Sequence, residues 1–240
     1  MMLKTLENYY KENGILSSHF ICVHKKECKG DCKDFTGPKS SFVSSGYEKG
    51  KLPRLLFLSL DSGVGDEKPI KRTPIAVRKT EENRDVTTIP RNRHWFLTHE
   101  IALYILRKFS DEIKIEDDVK KYFAHVNSAK CCMNNPKNKK ANKVLFDRCR
   151  DYLKKELKIL KPKIIVTQGK EAKVAIEKFT TRTIREYDNY AKIILLNNYE
   201  IFWLHTSHPN DYGRFWSQRG DGRSWEKYSK IIYKWFQNIA

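Results

Sequence analysis

Residues 55–60 form an apolar run interrupted only by Ser59, opened by Pro53-Arg54 and without helical period, which predicts a buried strand. Residues 122–129 and 163–167 predict two more strands. Apolar positions at helical spacing predict helices over residues 95–109, 144–160 and 170–179, the second stopping before Lys161-Pro162. Residues 3–14 predict a short opening helix, and residues 224–239 a closing one with Trp225, Tyr228, Ile232 and Trp235 in register. Strands over 192–196 and 200–206 flank Asn197-Asn198, a dipeptide suited to a hairpin turn. Residues 20–50, 64–92 and 133–143 show no periodicity and read as irregular, the second as a long surface loop. Strands alternating with helices imply an α/β fold, with a largely parallel sheet covered on both faces. Ligands of such sheets sit beyond the carboxyl ends of the strands. Here those ends are Asp61, Asn127, Gly169 and His208.

With 240 residues and 40% hydrophobic positions, the chain is expected to fold as one domain over 1–240: an N-terminal helix and cysteine segment over 1–50 and a core over 51–240. It has no run of eighteen apolar residues, and its N-terminal stretch lacks the apolar core of a secretory signal. A cytoplasmic or nuclear monomer away from membranes is therefore the expectation. Lys and Arg total 47 against 29 acids, a formal charge of +18. Such a surface attracts polyanions, nucleic acid before anionic membrane. Aromatic residues among the basic ones favour nucleic acid, because bases stack on them. A lysine-rich composition alone would give the same total.

Six cysteines stand at positions 22, 28, 32, 131, 132 and 149, in two groups far apart in sequence. In a reducing compartment that pattern suggests metal or cluster ligation across the fold.

Three blocks carry chemistry: Leu58-Ser-Leu-Asp61-Ser-Gly63, Asn127-Ser-Ala-Lys130-Cys131 followed by Cys149 and a helix ending in Lys-Pro-Lys-Ile-Ile-Val-Thr-Gln-Gly169, and His205-Thr-Ser-His208-Pro209-Asn210. Together, and in this order over residues 28–215, they resemble the uracil-DNA glycosylase superfamily, most closely its iron–sulfur branch, families 4 and 5. The resemblance implies a three-layer α/β/α sandwich around a mostly parallel four-stranded sheet. It implies a repair glycosylase that flips uracil, and other deaminated bases, out of DNA and hydrolyses the N-glycosidic bond. A non-catalytic nucleic-acid binder on the same fold is the alternative.

The resemblance also assigns residues. Cys28, Cys32, Cys131 and Cys149 match the ligands of a 4Fe–4S cluster. The first pair is spaced CxxxC where the family has CxxC, so Cys22 and Cys132 compete for places. Zinc on the same thiolates and inert buried cysteines are the alternatives. Asn127 matches the residue that reads the uracil edge, since an amide offers both a donor and an acceptor. His208 matches the group that stabilises the departing base, with Asn210 where the family has Ser. Asp61 falls where family 1 enzymes carry a catalytic acid, Leu60 where the iron–sulfur families often have Glu, and Ser62 where the family has Pro. Gly63 and Gly65 would allow close backbone approach to base or phosphate. Phe96, with Trp95 beside it, is the candidate ring for stacking on the flipped base. Tyr212, Phe215 or Trp216 would be the wedge into the duplex, and Arg214 a phosphate contact.

Overall fold

The computed structural model describes residues 2–16, 21–32, 35–62, 68–133 and 141–238. In chain order the elements are α1 (Met2–Glu12), α2 (Lys25–Lys29), β1 (Phe35–Thr36), β2 (Phe42–Val43), α3 (Ser45–Lys49), β3 (Leu55–Asp61), α4 (Pro74–Asn83), α5 (His94–Leu106), β4 (Phe123–Ala129) and β5 (Cys132–Met133). They continue with α6 (Lys143–Leu160), β6 (Ile164–Gln168), α7 (Lys170–Phe179), β7 (Thr180–Glu186), β8 (Ala191–Leu196), β9 (Tyr199–Thr206), α8 (Tyr212–Arg219) and α9 (Arg223–Gln237).

The main sheet has seven strands in the order β2-β4-β3-β6-β9-β8-β7. Its middle, β4-β3-β6-β9, is parallel, so the four-strand expectation describes the centre of a wider sheet. β2 adds antiparallel at one edge, and β8 and β7 at the other. Every residue of β4 and β6 is buried, as two-sided coverage requires. Alternation along the strands sends Phe57, Phe123, Val166 and Phe202 to one face, where residues of α5 and α9 complete the core. Leu58, Val126, Ile165 and Trp203 go to the other, beneath α1, α6 and α7.

Local chemistry explains the main elements. Asn142 caps α6, accepting from the Val144 amide, and buried Leu145, Phe146, Cys149, Leu153, Leu157 and Leu160 form one helical stripe. Lys161 ends that helix in the left-handed conformation (φ 46°), and Pro162 follows. Asn197 and Asn198 both take positive φ, 52° and 65°, as the hairpin turn between β8 and β9 needs.

Residues 20–50, expected to be irregular, hold the short elements α2, β1, β2 and α3, and three further segments depart from the expectation. The region read as a long loop contains α4, which Thr73 caps by accepting from the Ala76 amide, with Pro74 at the first turn. Its single buried aliphatic side chain, Val77, is too little for a periodic signal. β7 went unread because it is a mostly exposed edge strand of polar composition, held by its pairing with β8. The segment after His208, expected to supply the wedge into the duplex, is helical, and Phe215 is drawn into the core against Trp225.

Candidate active site and cysteine cavity

The parallel register aligns Ser59 with Asn127, Asp61 with Ala129, Leu58 with Thr167 and Gln168 with Thr206. With a two-residue alternation, Ser59, Asp61, His125, Asn127 and Gln168 therefore share the α5 face at the carboxyl ends of adjacent strands. α5 starts directly above them.

A buried polar network links these tips. Ser59 Oγ donates its single proton to Gln168 Oε1 at 2.6 Å. The two imidazole nitrogens beside Oγ, His125 Nε2 at 2.8 Å and His94 Nε2 at 3.3 Å, must then be donors to it. His94 Nε2 also lies 3.2 Å from Gln168 Oε1. Gln168 Nε2 donates to Thr98 Oγ1 (3.0 Å), which donates to the His94 carbonyl (2.9 Å). Burial holds His94 neutral, with its pKa pushed down to about 3 and His208 adding to the shift. His125 is driven well below its ordinary value by burial, then by His94.

His208 lies against this network, its ring stacked on that of His94 with centroids 5.0 Å apart and planes 9° apart. The Asn210 amide donates to His208 Nδ1 at 3.1 Å. Nδ1 is thus the acceptor, and in the neutral ring the proton sits on Nε2. Burial lowers the His208 pKa, opposed by Asp211, which favours that neutral donor. Gly169, at φ 94°, makes the packing possible. A Cβ there would meet His208 Cβ and Leu60 Cδ2, each at 3.2 Å.

Asn127 is 8% exposed, and among the described residues its side-chain amide has no hydrogen-bond partner. Asp61 is half-buried at the tip of β3; the Cys132 thiol nearby is raised by burial, opposed by its hydrogen bond with Thr36, and raised further by the Asp61 charge. Arg72, nearly buried, donates to the carbonyls of Pro38 and Gly37 and to Ser62 Oγ, fastening the first motif.

Asp61, Leu60, Asn127 and His208 thus come together at one end of the sheet. Gly63 and Gly65 lie outside the described residues. Phe96 is buried in the first turn of α5, and Trp95 packs into the core against Phe42, His99, Phe123 and His125. The ring at the strand tips is His94, which sequence reasoning passed over along with Ser59, His125 and Gln168. The polar side chain of His94 at a helix start was the available signal. Asn210 is exposed and acts on His208 through its backbone. His205 points to the opposite face, 3.1 Å from Thr167 Oγ1. Tyr212, Arg214 and Trp216 are exposed on α8, whereas Phe215 is fully buried and no wedge. α8 is anchored by Arg219, which grips Glu100 of α5 with two bonds of 2.8 and 2.6 Å.

The cysteines sort differently from the expectation. Cys22, Cys28, Cys131 and Cys149 line one small cavity with His24, Lys130, Arg148 and Tyr152. Cys32 does not line it, and Cys132 turns to Thr36 and Ser62. Of the four expected cysteines, Cys32 alone stands off this cavity, and Cys22 lines it: residues 25–29 coil into α2, which carries Cys28 inward and leaves Cys32 half-exposed past its end. Burial first, then neighbouring Cys149 and Cys22, pushes the Cys28 thiol up to about 12. The Cys131 thiol rises for the same reasons. The Lys130 amide donates to Cys149 Sγ at 3.3 Å. Among the described residues, no three His, Cys, Asp or Glu side chains stand so as to hold a single metal ion.

No helix among the described residues is long and apolar enough to cross a membrane. No curated protein matches the chain with significance. Residues 90–235 match the family model for the uracil DNA glycosylase superfamily. The chain belongs to that superfamily.

Proposed function

We propose that this superfamily member is a monofunctional DNA glycosylase that excises uracil from DNA. The observation that carries the reading is the neutral His208, its Nε2–H left to donate, at the same end of the sheet as the unpartnered amide of Asn127. A flipped uracil offers an N3–H donor and an O4 acceptor, which one amide side chain can match. As the glycosidic bond breaks, negative charge gathers on the base. A fixed donor such as His208 stabilises that charge without first losing a proton, and such a donor contributes about 3–4 kcal/mol in comparable sites. Asp61, on the same face, suits the opposite charge, the cationic sugar, and can orient the attacking water. Tyr212 and Arg214, exposed on α8, suit contact with the DNA backbone.

The cavity donors support a 4Fe–4S cluster held by Cys22, Cys28, Cys131 and Cys149. Three buried thiols and the half-buried Cys22, from three segments, surround a space, not a point. That suits a multi-iron cluster better than one zinc, whose sulfurs close to about 2.3 Å from a single ion. As thiolates the four would carry a buried negative charge that Lys130 and Arg148 partly offset. The cluster would tie the N-terminal segment to β4 and α6, with no part in breaking the glycosidic bond.

The test is uracil release from a labelled oligonucleotide, read as strand breaks after alkali. Wild-type protein should release uracil, and His208→Asn and Asn127→Ala should each slow release at least 100-fold. Wild-type protein that binds uracil-containing DNA but leaves the base attached would refute the enzyme reading and leave the binder.

A further inference from the structure

A cavity lies at the other end of the sheet. It encloses about 730 Å³ among the loop after α3, the end of α6, the starts of β3 and β6, and the β8–β9 turn. Arg54 directly precedes β3, whose seven residues at about 3.3 Å each put the cavity roughly 20 Å from Asp61. It belongs to neither the strand-tip site nor the cysteine cavity.

Its lining is one-sided in charge. Lys51, Arg54, Lys158, Lys161 and Lys163 converge from separate segments, and no carboxylate among the described residues lines it. None of the five is ion-paired among the described residues. Cations elsewhere on the fold find partners, as Arg78 does with Glu48 and Arg219 with Glu100. Arg54 Nε is buried without a hydrogen-bond partner, a deficit that a bound acceptor would remove. Like charges gathered without counter-charges repel, and an anion among them relieves that repulsion. The floor is apolar, with Leu157, Leu196 and Phe236, and Tyr199 stands at the rim, 55% exposed. The backbone is committed to this shape: Lys161 and Asn197, both lining the cavity, hold the left-handed conformation that ordinary residues avoid.

We infer that this cavity is a second ligand site, which takes the phosphate of a nucleotide on its lysines and Arg54 and the planar base against its apolar floor. The volume falls in the range of small-molecule sites, about 300–1,000 Å³. A smooth phosphate backbone needs only a cationic surface, whereas a cavity with an apolar floor suits the body of a base. The nucleotide can be free or the phosphorylated end of a strand.

Calorimetric titration of the full chain with adenosine 5′-monophosphate, a 5′-phosphorylated trinucleotide and adenosine tests this. One molar equivalent of a phosphorylated probe should bind, with adenosine at least tenfold weaker. Arg54→Gln and Lys161→Gly should each weaken it at least tenfold. Lys161→Gly keeps the test valid if Arg54→Gln folds poorly, since glycine accepts the φ of 46° without strain. Monophosphate binding as well as the trinucleotide indicates a free nucleotide; a trinucleotide more than tenfold tighter indicates a strand end. The site is refuted if neither phosphorylated probe binds at millimolar concentration, if adenosine binds equally, or if Lys161→Gly binds like wild type. Each readout is binding, independent of uracil release.

Discussion

Glu156 lies in the apolar stripe of α6 and is fully buried, yet three groups depend on it. Lys130, 1% exposed, brings Nζ to 2.6 Å from Oε2, an ion pair without hydrogen-bond alignment. Ser41 Oγ donates to Oε1 at 3.0 Å, and the fully buried Tyr10 hydroxyl donates to the same oxygen. Glu156→Ala strands a buried ammonium whose remaining polar neighbour, Ser41 Oγ, is 3.5 Å away. Breaking a buried pair in this way costs about 3–5 kcal/mol. For a chain of this size that lowers Tm by roughly 6–20 °C. Glu156→Gln preserves the acceptor for Tyr10 and Ser41 but not the charge, and should fall between wild type and alanine. Replacing both partners, Lys130→Met with Glu156→Leu, should recover most of the loss, because the uncompensated charge is gone. Thermal and urea unfolding followed by circular dichroism measure all four proteins. A Glu156→Ala loss under about 1 kcal/mol, or a double variant no better than the single, would refute the reasoning.

His94, His99 and His205 are held neutral with pKa values near 3, 4 and 4, mainly by burial, against about 6.5 when unfolded. The unfolded chain binds the protons the folded one refuses. Stability is therefore intact above pH 6.5 and falls as pH drops toward 4, by about 1.4 kcal/mol per histidine per pH unit, visible as a falling Tm between pH 7 and 5. A Tm unchanged over that range contradicts this. Cys22→Ser should abolish bound iron and sulfide while Cys32→Ser retains them, measured by metal and sulfide analysis; the reverse order would return the ligand place to Cys32. Gly169→Ala should cost about 1–3 kcal/mol in stability, from strain at φ 94°, and slow uracil release by displacing His208. Unfolding curves and release rates like those of wild type would show that the close contact is slack.

The central strands, the long helices and the Asn-Asn hairpin were legible in the sequence because each rests on local periodicity or turn chemistry. The residues gathered at the strand tips were legible as motif ends: a parallel strand terminating in Asp61 or Asn127 can deliver it nowhere else. What sequence could not decide depended on contacts between distant segments. β7 exists only because β8 offers an edge to pair with. That Cys22 and not Cys32 lines the cysteine cavity turns on how α2 packs against α6, which no spacing rule encodes. His94 became part of the site because α5 begins above Ser59 and Gln168 and beside His208, residues 35, 74 and 114 positions away in the chain. Periodicity reports which face a residue takes, and only the packed fold reports what that face meets.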